Sequence, residues 1–418
     1  MVSLKNFKQF IVDTVGLMVQ GGRLYYAWVG FLLLLIAVGI FAYVGQLNQG
    51  LLVTNMRDQV SWGFYIGNFT FLVGVAAAAI MLVIPAYIYD WEPIKEITIL
   101  GEMLAISALI MCLGFVMVDI GRPDRFWHIM PLVGRLNWPQ SMLAWDVIVL
   151  NLYLVLNYFV VTYLLFCAYT ERHYVKKLVT PLVLLSIPMA VSIHTCTAYL
   201  YNGLAARPFW NSAILAPRFL ASAFCSGPAI LLILLQVLQK TTKLKIKDEA
   251  IFKIAELMAY TMGFNLFLTA AESFKELYSG TEHVVYFQYL LFGLKGHNTL
   301  VPYAWASIIF GLVAFILFLV PRTRTNWVTL NIGCVLIYAS VYIEKGMGLI
   351  IPGLTPDALG EIYVYTPSFT EIAVAAGIFA IGFLVFTLML KAAVPMMLGE
   401  FTISKGRKGV SKPEADPV

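Results

Sequence analysis

The sequence predicts an all-α integral membrane protein, a bundle of about ten transmembrane helices, and three observations carry that prediction. The first is composition: of 418 residues, 60% are hydrophobic and only 12% are charged. An ordinary soluble domain is about 45–50% apolar and about 25% charged, so no water-soluble fold could cover this much apolar surface and the surrounding solvent is lipid. The second is spacing. Stretches free of Asp, Glu, Lys and Arg recur at the length a bilayer demands, about 20 helical residues. The third is an uneven distribution of basic residues between alternate connections.

The charge-free stretches run 24–56, 59–89, 103–118, 147–170, 178–206, 219–239, 257–271, 296–321, 325–343 and 372–390. The first begins only after Arg23 and lacks a small-residue exit, so it reads as a membrane span and not as a cleaved signal peptide. The stretches 103–118 and 257–271 are short for a bilayer. They reach full length only if bounding residues enter the membrane, which makes Glu102, Asp119, Glu256 and Glu272 intramembrane carboxyls and therefore functional candidates. Gly67–Ala79 and Phe219–Ile230 are both rich in small residues that let helices approach closely. Each is expected to open a four-helix bundle, spans 2–5 and 6–9, with spans 1 and 10 as additions.

Orientation follows from the basic residues. With the N-terminus inside and the sides alternating, nineteen Lys and Arg fall in inside segments and nine in outside ones. Both termini are therefore expected in the cytoplasm, with 1–24 as an N-terminal segment, 25–398 as the transmembrane domain and 399–418 as a polar tail. In a bacterial inner membrane this puts the loops Gly121–Pro139, Tyr201–Arg218, Tyr278–Lys295 and Gly346–Ser368 in the periplasm. They combine Gly, Pro, Trp and charge, as a docking surface or a lid would. The run Lys240–Lys247 reads as a solvated inside loop meeting anionic membrane lipid.

Several chemistries are not expected. The five cysteines, Cys112, Cys167, Cys196, Cys225 and Cys334, are scattered singly with no C-x-x-C pair, so they read as small apolar residues and not as Fe–S or zinc ligands. Of the five histidines only His194 lies well inside a span, so no haem held by paired histidines is expected. There is no P-loop or dinucleotide fingerprint. The basic residues sit in short clusters between apolar runs, which argues against nucleic acid. Any electrons the chain handles then belong to a diffusible cofactor or to a partner.

The densest polar constellation is Asp119-Ile-Gly-Arg-Pro-Asp-Arg-Phe-Trp-His128, followed by Asn137-Trp-Pro-Gln-Ser-Met-Leu-Ala-Trp-Asp146. With span 4 starting near Pro139, Asp146 lies about two turns into the membrane. Asp119, Arg122, Arg125, His128 and Asp146 are then expected to converge at the outer interface, among Trp127, Trp138 and Trp145. A lipid-soluble quinone needs such a place: donors for its carbonyls, a route for two protons, and aromatic walls. Histidine suits that exchange near neutral pH. The bland alternative is a set of interfacial ion pairs and an aromatic belt. A carboxylate inside the membrane favours function for His128 and Asp146 as the proton-exchanging pair, since it is costly unless used or paired. Glu102, His194 and Glu272 are candidates for a proton route, with the hydroxyls of spans 5 and 7 as either its lining or simple interhelical bonds.

These residues resemble a known family. Asp119–Trp127, Pro139-Gln-Ser141 with Trp145-Asp146, Ser61-Trp-Gly63, Ala206–Ser212, and Glu344-Lys-Gly-Met with Ile351-Pro-Gly353 and Tyr365-Thr-Pro367 are similar to motifs of the NrfD-type family, the polysulfide reductase membrane subunits. The last block points to the ten-helix branch, which includes the membrane subunits of alternative complex III and of the Dsr, Hmc and Qrc complexes, with the Qrc menaquinone reductase type the nearest likeness. The resemblance implies a chain with no haem and no Fe–S cluster of its own, binding menaquinone near the outer face. It implies partners on that face: an Fe–S subunit, a molybdopterin-oxidoreductase-like subunit and a multihaem cytochrome c. It carries functional weight onto Arg122, Pro123 and Asp146, and leaves the direction of electron flow open. Asp119, Arg122, Arg125, Trp127 and Trp145 are the expected quinone surroundings. The competing readings are a two-bundle secondary transporter, which broken helices at mid-membrane would favour, and a passive anchor for a periplasmic enzyme.

Overall fold

The computed structural model describes residues 4–129, 133–281 and 283–404. A short amphipathic helix comes first, α1 (Leu4–Val19), then the first span, α2 (Arg23–Gln49). The second span is α3 (Phe64–Ala76), continued by α4 (Ala78–Val83) and a wider turn at Ile84–Ile88. Spans 3 to 7 are single helices: α5 (Glu92–Asp119), α6 (Met142–Tyr169), α7 (Lys176–Asn202), α8 (Leu215–Thr241) and α9 (Asp248–Ser279). A short α10 (Val284–Leu291) precedes span 8, α11 (Val301–Leu319). The turn α12 (Pro321–Arg324) leads to span 9, which breaks at Gly346 into α13 (Trp327–Lys345) and α14 (Met347–Leu354). The tenth span is α15 (Phe369–Met397).

The described residues thus hold ten helices long and apolar enough to cross a membrane. The two short charge-free stretches are the C-terminal half of α5 and the middle of α9; of their bounding carboxyls Glu102 and Glu272 are buried, while Asp119 and Glu256 are only partly so. Side-chain caps set several starts. Asn326 accepts the Val328 and Thr329 N–H groups, and Ser368 with Glu371 forms a reciprocal capping box at α15. At α6 the cap is Ser141, which accepts the Ala144 N–H. Span 4 therefore starts after Ser141 and not at Pro139, and Asp146 lies about one turn into the helix, not two.

Packing divides the chain as the small-residue segments suggested. Spans 2 to 5 close one ring, α3 and α4 against α5, α5 against α6, α6 against α7, and α7 back on α3. Spans 6 to 9 close a second: α8 on α9, α9 on α11, α11 on α13, and α13 on α8. The rings meet where α8 packs on α3, α4 and α7. Helices α2 and α15 pair with each other and lie against α5. Their approach is close because both carry glycine at the crossing. A Cβ on Gly39 would sit 2.7 Å from the Gly377 Cα. Outer residues of α2 such as Phe41, 84% exposed, face what in a bilayer is lipid.

Both ends of the described chain gather at one face. Asp13 of α1 accepts a 2.8 Å hydrogen bond from the Tyr169 hydroxyl, and the Ile403 N–H donates to the Tyr169 carbonyl at 2.8 Å. Residues 1–3, 405–418 of the expected tail, 130–132 of the first long loop and Glu282 lie outside the described residues.

At the other face the connections interlock. Arg207 donates to the Leu354 carbonyl at 3.0 Å, Lys295 to the Gly360 carbonyl at 2.8 Å, and Asn55 to the Thr366 carbonyl at 2.8 Å. The Phe64 N–H donates to the Tyr365 hydroxyl, which in turn donates to Glu371. Burial and the Glu371 carboxylate push the Tyr365 phenol well above its ordinary value. Four connections (50–63, 203–214, 292–300 and 355–368), with α14, thus form one cap over the ends of both bundles.

Candidate functional site

Trp210, from the Ala206–Ser212 block, anchors that cap from inside. It is fully buried, stacked on Trp62 at 5.8 Å and tilted against Tyr201 at 5.2 Å. Its indole N–H donates to the Leu349 carbonyl at 2.9 Å. Gly353 makes the room, because a Cβ there would lie 1.9 Å from the indole ring.

Beneath Trp210 lies the polar locus of the first bundle. Asp146 is 2% exposed and accepts a 2.7 Å hydrogen bond from Thr197 of α7. Tyr201, one turn further along α7, pairs with Thr70 and is within electrostatic range of both Asp146 and Asp119. Asp119 Oδ1 is buried without a partner among the described residues, as are Glu102 Oε2 and His194 Nε2. His194 Nδ1 is 2.9 Å from the Ala190 carbonyl of its own helix. Most buried polar atoms are paired, so these three unpartnered atoms, spread along the first bundle, are positions a water molecule could satisfy.

The other predicted site residues sit apart from this locus. Arg122 makes a forked pair with Asp124, at 3.0 Å for each bond, and both are exposed. That pairing holds the Asp124 carboxyl below its usual range and raises Arg122. Arg125, Trp127 and His128 are exposed on the short 3-10 turn Pro123–Ile129, with Trp127 packed edge-on to His128 at 3.9 Å. Trp145 is half-buried, donates to the Pro139 carbonyl at 2.9 Å and packs on Trp138 at 5.2 Å. Among the described residues no hydrogen bond or ion pair joins Arg122, Arg125 or His128 to Asp146. Asp146 is thus tied to α7 through Thr197, one turn from Tyr201, while the loop residues stay exposed outside the bundle.

The second bundle carries a different arrangement at the same end. Arg218 of α8 bridges two carboxylates, Glu272 of α9 and, at 2.7 Å, Glu344 of α13. Glu344 also accepts from Asn265 and Thr269, each at 3.1 Å. Lys345 is buried next door. Its ammonium donates to the Phe219 carbonyl at 2.6 Å and lies 4.7 Å from that ring's centroid. A Cβ on Gly74 would be 3.4 Å from it, so Lys345 fills the seam between α3, α8 and α13.

Arg218 and Lys345 counted as outside-loop cations in the charge tally, and both lie inside the bundles. Neither they nor Glu344 stood out as site residues in the sequence. The signal was present: Arg218 bounds one charge-free stretch and Glu344 another, the criterion that marked Glu272. The hydroxyls of spans 5 and 7 also divide. Ser186, Ser192 and Thr195 donate to carbonyls of their own helix, whereas Thr197 and Thr269 reach carboxylates on other helices. The five cysteines are free, four of them buried.

Three curated proteins are similar to this chain over most of its length. The chain is 26% identical over 402 residues to a putative membrane subunit of a dimethyl sulfoxide reductase from Halobacterium salinarum, spanning 87% of this chain and 90% of that protein. It is 25% identical over 385 residues to an Hdr-like menaquinol oxidoreductase integral membrane subunit of Archaeoglobus fulgidus, with 88% and 92% covered. It is 22% identical over 394 residues to a menaquinone reductase integral membrane subunit of Nitratidesulfovibrio vulgaris, with 86% and 89% covered. The menaquinone reductase type is therefore one likeness among several and is not singled out. The model of the family described as polysulphide reductase, NrfD, matches residues 52–356, from the first loop of the cap to the end of span 9. With ten apolar spans and that match, the chain is a multi-pass membrane protein that belongs to the NrfD polysulphide reductase family.

Proposed function

We propose that this chain is the quinone-binding membrane subunit of a respiratory oxidoreductase complex, exchanging electrons between redox subunits docked on its capped face and menaquinone. The observation that carries the reading is Asp146. A carboxyl buried about one turn inside a transmembrane helix, with Thr197 as its hydrogen-bond donor, is costly to keep unless it is used. Three relatives named as subunits of reductases or quinone oxidoreductases support the class.

Reduction of menaquinone takes up two electrons and two protons, and oxidation of menaquinol releases them. In this reading Asp146 exchanges the proton at its carboxyl and Thr197 orients that carboxyl. Asp119, whose Oδ1 is buried without a partner among the described residues at the end of α5, is the second acid. His128, Arg122, Arg125 and Trp127, with Trp145, form the rim through which the ring enters and on which a partner rests. The partners proposed are an Fe–S subunit, with a molybdopterin-oxidoreductase-like subunit and a multihaem cytochrome c behind it, on the periplasmic side of a bacterial inner membrane. The charge tally supports that orientation: setting aside buried Lys345 and the ion-paired Arg218 leaves seven basic residues on the loop side against nineteen on the other.

Glu102 and His194, buried with unpartnered atoms, are the proposed proton route from the opposite face. Glu272 belongs to that route only through its arginine partner, since its carboxylate is held by Arg218. Electrons and protons meeting from opposite sides would store about 2.3 kcal/mol per charge per 100 mV. Vesicles containing the complex and a potential-sensitive dye test this. A potential forming during quinone turnover is expected, and turnover with no potential would remove the route.

The site itself is tested by titrating a naphthoquinone analogue into the assembled complex. Asp146→Asn is expected to weaken turnover by about 10²-fold or more, the usual contribution of a positioned acid or base. Unchanged binding and turnover would leave the chain as a passive anchor. The transporter reading has one point in its favour, the break of span 9 at Gly346. That break lies toward the capped end of the span and not at its middle.

A further inference from the structure

We infer that the second bundle holds a separate binding site for a neutral, aromatic, carbonyl-bearing head of the quinone class. A cavity of about 80 Å³ opens at the capped end of that bundle, between α8, α9, α10, α11, α13 and α14. Phe209 and Phe287, with centroids 5.2 Å apart and rings tilted by 51°, stand at one side of it. Leu266, Leu290 and Ile308 continue the apolar lining. The Ser307 and Ser340 hydroxyls are satisfied on each other's backbone carbonyls, at 2.8 and 2.7 Å, so that wall offers little polarity to a ligand.

The polar end is built from Arg218, Thr269 and Glu344. Glu272 and Glu344 fix the guanidinium in place, using only two of its five N–H groups. Its Nε is buried with no partner among the described residues, and so is the Oδ1 of Asn265, itself 1% exposed. A donor held this rigidly loses little freedom when it meets an acceptor.

Charge selects the ligand. Arg218 and Lys345 offset Glu272 and Glu344, so the cluster is formally neutral. A phosphate or ammonium head would unbalance it in a medium that screens weakly. A carbonyl accepts from the guanidinium without adding charge, and an attached ring packs on the two phenylalanines. The choice of a quinone within this class rests on the function proposed above. The neutrality and aromatic walls do not.

The test is equilibrium binding of a photoreactive naphthoquinone to the intact complex, with mapping of the labelled peptides. Ala304 lines the cavity from α11 and Ala304→Phe fills it. Leu290→Trp blocks the same space from α10, should the first variant fail to assemble. The parent complex is expected to bind two equivalents. Filling the cavity should remove one of them and lower labelling of the Phe287 peptide by about tenfold or more. Asp146→Asn should affect only the other equivalent. Loss on filling the cavity with no effect of Asp146→Asn would still support this site while overturning the first-bundle one. A single equivalent that both cavity variants leave untouched, and that Asp146→Asn weakens, would overturn the second site and leave the first standing. Absence of saturable binding in the parent would overturn both.

Discussion

The two four-helix bundles both carry buried carboxyls at their capped ends, and they treat them differently. In the first, Asp146 has a hydroxyl for company and Asp119 keeps an unpartnered oxygen, as do, away from that end, an oxygen of Glu102 and a nitrogen of His194. In the second, Glu272 and Glu344 share Arg218, and Glu344 collects two further donors. A buried carboxylate that is fully paired is held in its charged form and ties helices together. One that lacks a counter-ion is free to exchange a proton. In the function proposed above, the difference separates a cluster built to hold from a cluster built to react.

Breaking the comparison at its strongest point means removing Arg218. Arg218→Ala leaves two carboxylates buried side by side, at a cost of about 3–5 kcal/mol. The expected result is loss of assembled protein or a large fall in thermal stability of the detergent-solubilised complex. Stability equal to the parent would show that the triad holds nothing. In the first bundle the matching change is small. Thr197→Val removes one hydrogen bond, about 1 kcal/mol, so assembly should persist while the quinone turnover rate falls more than stability does. Equal, slight falls in both would make Thr197 a packing residue.

The smallest effect is expected outside the membrane. The Arg122–Asp124 pair is exposed, so Asp124→Asn should leave thermal stability unchanged near neutral pH. Because Arg122 depresses the Asp124 carboxyl, whatever the pair contributes is present above the unfolded-state value and disappears as the pH falls through the lowered one. Parent and variant stability curves should therefore coincide in mild acid too. A gap that opens above about pH 4 and closes below it would show that the pair matters.

Much of this was legible in the sequence because lipid imposes a simple rule on it. Charge-free stretches located all ten spans, and small-residue segments marked α3 and α8 as the first helices of two bundles. What escaped has physical reasons. The charge pair Glu344–Lys345 and Gly346 read as the end of span 9 and the start of a loop, whereas the chain resumes as the apolar helix α14 (Met347–Leu354), because Lys345 and Glu344 find partners inside the bundle. Ser141 took the start of α6 from Pro139 because its hydroxyl can accept the Ala144 N–H. Asp146 was visible as a carboxyl bounding a span. The members of the Arg218 triad were visible in the same way but not their grouping, since they come from three helices, 54 and 126 residues apart in sequence. A cation near a helix end reads as a loop charge until the fold shows which carboxylates surround it.

The central claim is that the first bundle's capped end reacts and does not merely hold. Asp146→Asn tests it most directly, with assembled complex and menaquinone turnover per complex measured on the same membranes. The account predicts assembly close to the parent's and turnover lowered by about 10²-fold or more. Parent-like turnover per complex, at full or reduced assembly, would contradict it.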